Sequence, residues 1–181
     1  MCAQLGDHAS DETIGIWEKA LHVLSTAARR LDAAEAGERH LVRDILVPAL
    51  KHLLAHKLPA DLQASRIAKL LTLAAGREGW PRDEAMELCK LALRAQDAEA
   101  AAHDTPEERN WPYSAIQRDR SWTLERMYDL SGDIVYLQAA CRAVDLWFAN
   151  AETGAGVDRD RMGGMTVGWL YTKLHKAQSG K

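Results

Sequence analysis

The sequence predicts an all-α protein: three antiparallel helical hairpins and a C-terminal capping helix, stacked as an α-solenoid. Three observations carry that prediction. Apolar residues recur at three- and four-residue steps through most of the chain. No stretch alternates with a period of two while gathering β-branched residues, as a strand would. Glycines and prolines fall between the periodic segments, where the chain must reverse. Residues 1–181 read as a single domain, with 1–10 expected to be disordered. Residues 11–103 hold the first two hairpins, and 112–178 the third hairpin and the cap.

The first helix lies over 14–31, on Ile14, Trp17, Leu21, Leu24, Ala28 and Leu31. Ser10 or Asp11 can cap its start, and Gly37 ends the element or the turn after it. The second runs from about Glu38 to Lys57, with leucine and valine pairs every four residues. Its stripe passes through Pro48, which removes a backbone hydrogen bond, so a kink is predicted there. Pro59 and Asp61 open a third helix carrying Leu62, Ile67, Leu70, Leu71 and Ala74, which stops at Gly76. Gly79-Trp80-Pro81 is a turn, with the proline suited to the first helical position.

The fourth helix places Ala85, Leu88, Cys89, Ala92 and Leu93 on one face, with Asp83 and Glu84 in the favourable first turn. It fades into the alanine-rich stretch from Gln96 to His103. After the break at HDTPEERNWPY, a fifth helix spans about Ser114 to Leu130. Gly132 is placed to take the left-handed conformation, and Asp133 to cap the next helix. The sixth carries Leu137, Ala140, Cys141, Val144, Phe148 and Ala151. A glycine-bearing loop then leads to a short seventh helix with Val167, Leu170, Tyr171 and Leu174.

Composition narrows the function classes. Hydrophobic residues at 47% and charged residues at 27% suit a globular domain with a real core. A net charge of -3 argues against a nucleic-acid partner. No apolar run is long enough to span a membrane, and the opening MCAQLGDHASDET lacks the pattern of a secretory signal. The odd set Cys2, Cys89 and Cys141 fits reduced thiols, so a cytoplasmic location is expected. Cys89 and Cys141 lie among apolar helix positions and are expected to be small buried hydrophobes.

Glu87 to Ala92 aligns with Ala139 to Val144, each block following an amphipathic helix and a glycine turn. Ala85, Cys89 and Ala92, with Leu124, Tyr128, Gly132, Ala140 and Ala143, resemble the tetratricopeptide-type helical repeat. Glu125 stands where that family has its helix-A glycine. The spacing of the two blocks is 52 residues, against a family period of about 34. The resemblance implies stacked hairpins with a groove for a peptide or helix, closed by a terminal helix. Lys173, His175 and Lys176 give that last helix a polar outer face. Met127, Tyr128, Gly132, Asp133, Tyr136, Leu137 and Ala140 also resemble one hairpin of the α/α-toroid enzymes. That likeness implies a hairpin geometry.

The residues Trp111, Tyr113, Arg118, Arg120 and Trp122 form the expected partner-binding surface. Tryptophan, tyrosine and arginine bury large areas while keeping polar handles, and arginine can hold a carboxylate in two-point fashion. The function expected is a non-enzymatic protein–protein interaction module without a cofactor. One alternative is a small helical enzyme or ligand-binding protein with a pocket of about 300 Å³ or more between hairpins. Another is a metal-binding bundle using His52 and His56, one helical turn apart, with His22 and Glu18 as further ligands. Asp158-Arg159-Asp160-Arg161 reads as self-neutralising surface charge. Six tryptophans leave room for one or more at a homodimer interface.

Overall fold

A computed structural model describes residue 44 and residues 47–55, 64–76, 80–103, 111–151 and 164–180. The expectations for residues 1–10, for the helix over 14–31 and for the loop Asp158–Arg161 lie outside these residues. Six α-helices and no strand occur among the described residues. They are α1 Val47–Ala55, α2 Ala64–Ala75, α3 Arg82–Ala102, α4 Trp111–Ser131, α5 Ile134–Ala151 and α6 Gly164–Ser179.

Their boundaries follow from local chemistry. Pro48 lies within α1, one residue after Val47, and residues 45 and 46 before it are outside the described residues. Of the residues before Pro48 in the predicted helix, only Asp44 and Val47 are described, so the predicted kink falls outside the described residues. Pro81 lies one residue earlier than expected. It precedes α3 with φ −56° and ψ 135°, and its carbonyl accepts the Ala85 amide at 2.9 Å. Asp83 and Glu84 do occupy the first turn. α3 does not fade at Gln96 but continues to Ala102, because alanine sustains a helix without an apolar stripe. α4 already includes Trp111, three residues before Ser114.

The α4–α5 turn forms as the sequence predicts. Gly132 has φ 74°, and its amide donates to the Tyr128 carbonyl at 2.7 Å, the single bond of a left-handed helix stop. The Asp133 carboxylate then accepts the Val135 amide at 3.0 Å and caps α5.

Consecutive helices pack together, and α2 also reaches α4. Two ties fix the antiparallel order of α2, α3 and α4. The Glu99 carboxylate near the end of α3 accepts the Ser65 amide at the start of α2. Arg82 at the start of α3 donates to the Leu130 carbonyl at the end of α4. Both place charge where it complements a helix dipole.

One apolar cluster joins α1 to α4 through Leu50, Ile67, Leu71, Leu88, Cys89, Ala92 and Met127. A second joins α4 to α6 through Leu124, Leu137, Ala140, Val144 and Leu170. Leu93 and Tyr136 pack against both. Ala140 and Ala143 are buried on α5, the small residues that let it approach its neighbours closely. Cys89 and Cys141 are both buried, as expected.

Candidate functional site

α4 is the helix on which the described residues converge. Ile116, Leu124 and Met127 are buried in the apolar clusters. Arg118, Trp122, Glu125 and Asp129 follow one another at steps of four, three and four, so they run as a strip along a different side. None of these four is buried. α2 bounds the strip on one flank and α6 on the other.

On the α2 flank, Lys69 Nζ lies 3.4 Å from Asp119 Oδ1, and Arg118 Nε donates to the same oxygen at 3.1 Å. Both cations also lie over the Trp122 ring, 4.5 Å and 5.7 Å from its centroid. The buried hydroxyls of Thr72 and Thr123 share a hydrogen bond of 2.8 Å, fixing the register of α2 on α4. Gly76 meets the Arg126 guanidinium, which stands 2.7 Å from where a Cβ would be. A side chain at Gly76 would push that guanidinium away from α2. Together these elements border an open cleft of about 210 Å³, lined by Lys69, Thr72, Leu73, Trp122 and Arg126 together with the carboxylates of Asp119, Glu125 and Asp129.

On the α6 flank, Trp169 Nε1 donates to Glu125 Oε1 at 2.6 Å. Lys173 Nζ donates to the same oxygen at 2.8 Å and lies 2.6 Å from Asp129 Oδ1. Burial disfavours the Lys173 charge, yet its hydrogen bonds to Asp129 and Glu125 outweigh that and hold its pKa above the ordinary value. Lys173 was expected on an outer polar face. It instead ties α6 to α4, while His175 and Lys176 are exposed.

Of the residues expected to bind a partner, those whose side chains are described do not share one face of α4. Arg118 and Trp122 sit on the strip. Arg120 turns to α3, where its NH2 lies 2.7 Å from Asp97 Oδ1 and its NH1 donates to Gln117 at 2.8 Å. Tyr113 is buried with Ala100 and Ile116 near the other end of α4. Trp111 opens α4, and its side chain is outside the described residues. The cause is helical geometry: a residue two positions along a helix points about 200° away. Continuing the strip by threes and fours from Arg118 finds Glu125 and Asp129. Lys69, Leu73 and Lys173 carry no such local signal, because only the packing of distant helices brings them to α4.

The remaining chemistry is sparse. His52 is exposed on α1, and His56, His22 and Glu18 lie outside the described residues. No group of three or more metal-binding side chains occurs among the described residues. Burial pushes the Cys89 thiol up to about 12 against the opposing charge of Arg126. Burial, with a smaller contribution from Asp145, also raises that of Cys141. Both shifts disfavour the thiolate, the form a nucleophilic cysteine needs. Among the described residues, no helix is long and apolar enough to cross a membrane.

The chain matches no family model, no curated protein and no solved structure.

Proposed function

We propose that this chain is a tetratricopeptide-like helical interaction module that takes a peptide or helix of another protein in a groove over α4. The observation that supports this is the strip Arg118–Trp122–Glu125–Asp129, flanked by side chains of α2 on one side and α6 on the other. Alternate helices bordering one channel is the arrangement expected when stacked hairpins expose the first helix of each pair. Within this reading α6 covers the apolar face of α5, with Leu170 buried against it. The partner is a protein or peptide, in the cytoplasm.

The cleft itself favours this reading over a pocket protein. At about 210 Å³ it is smaller than a typical small-molecule site, and its lining is largely charged. Binding hot spots combine tryptophan with arginine, and Trp122 between Lys69 and Arg118 is such a combination.

The test is affinity capture from the native cell with quantitative mass spectrometry. Proteins enriched on the wild-type chain should be lost on Trp122→Ala and retained on Arg142→Ala, an exposed position on α5. Identical capture by the wild type and Trp122→Ala would sink the reading.

A further inference from the structure

We propose that the occupant of this groove is an acidic peptide segment with interspersed apolar residues. Its carboxylates would meet Arg118, Arg126 and Lys69, and its apolar side chains would lie on Leu73 and Trp122. This rests on the groove reading above and adds the chemistry of the partner.

The argument is one of depth. The groove holds charges of both signs, but they do not face solvent equally. Asp119 is 6% exposed, whereas Lys69 and Arg118, which hold it, are 32% and 28% exposed. Glu125 is 19% exposed and is covered by Trp169 and Lys173 from α6. Arg126 is the most exposed cation at 40%, and Asp129, 4.0 Å away, is at the limit of an ion pair. Asp129 is comparably open at 37%, but Lys173 neutralises it from the α6 side. At the α2 flank Asp119 therefore lies beneath its two cations, and Asp129, as open as Arg126, is engaged by Lys173.

An approaching peptide meets guanidinium and ammonium groups first. The four cations bordering the groove, Lys69, Arg118, Arg126 and Lys173, outnumber its three carboxylates, Asp119, Glu125 and Asp129, on a chain whose net charge is negative. Guanidinium groups hold carboxylates through paired hydrogen bonds. Leu73 is 41% exposed beside them and offers apolar area that a purely electrostatic partner would leave unused.

A random dodecamer library displayed on phage and selected on the full chain tests this. The enriched peptides should carry more Asp and Glu than the unselected library, together with apolar residues. Synthetic versions should bind less tightly as salt is raised from about 50 to 500 mM. Arg126→Gln and Arg118→Gln should each weaken them about tenfold, the size of a lost charge-assisted hydrogen bond. Arg142→Gln should leave binding unchanged. Circular dichroism confirms that each variant is folded. If Arg118→Gln disturbs the fold by freeing Asp119, Arg126→Gln carries the test alone.

Enriched peptides that need Trp122 but are neutral or basic would overturn the acidic assignment and leave the groove reading standing. Failure to enrich any peptide, or binding insensitive to Trp122→Ala, would overturn both.

Discussion

At the scale of single residues, Gln96 is the least comfortable side chain in the described chain. It is fully buried on α3, and neither atom of its amide has a hydrogen-bond partner among the described residues. A buried amide left unpaired costs about 1–3 kcal/mol, whereas an apolar group of similar shape costs nothing of that kind. Gln96→Leu should therefore raise the stability to urea unfolding by about 1 kcal/mol. A loss of stability would mean that a bound water satisfies the amide, because water bridges cannot survive that substitution. Arg120 Nε, also buried and unpaired, lies on the helix packed against α3, and its guanidinium meets Asp97 next to Gln96. Sequence periodicity places Gln96 on the apolar stripe of α3, seven residues after Cys89. The absence of a partner is a tertiary fact that no spacing along the chain records.

At the scale of elements, the legible parts were those with a local cause. Gly132 and Asp133 were readable because a left-handed stop and a carboxylate cap are properties of adjacent residues. The ends of α3 and α4 were misjudged because periodicity marks helices by their buried face. The Gln96–Ala102 stretch has helix propensity with little apolar face to show it. The candidate strip was legible in part for the same reason. Arg118 and Trp122 were identifiable by residue type, but Tyr113 and Arg120 belong to the α3-facing side of the same helix.

The seat of α6 was not legible at all, since it depends on charges 44 and 48 residues apart in sequence. That seat is testable. Lys173→Met removes the cation that bridges Glu125 and Asp129, keeps the apolar stem, and should destabilise the chain by about 1 kcal/mol near neutral pH. The folded pKa of Lys173 is raised above 10.5, so its contribution is complete below that value and is lost as pH rises through the folded pKa. The stability gap between wild type and variant should stay constant from about pH 7 to 9 and close above about 10.5. A gap that persists unchanged at pH 11 would show that packing of the stem, and not the charge, holds α6.

At the scale of the whole molecule, the question is whether the two apolar clusters unfold together. Helical arrays with weak contacts between repeats open one repeat at a time, whereas strong contacts couple them. Here α4 belongs to both clusters, giving Met127 to the first and Leu124 to the second. Leu93 of α3 and Tyr136 of α5 also touch both, so no helix boundary separates them cleanly. Melting α5 would expose one side of α4 and withdraw the surface on which α2 and α3 rest. Leu137, fully buried in the second cluster, is the place to apply the perturbation. Leu137→Ala should cost about 2–4 kcal/mol, the range for a buried leucine whose site only partly collapses. If α4 couples the halves, native-state hydrogen exchange should show the slowest amides of α2 and α3 losing the same free energy of protection as those of α5. Protection lost only in α5 and α6 would instead make those two helices a separate folding unit. The groove would then join two bodies able to open independently, and peptide binding across α4 and α6 would have to bear the cost of holding them closed.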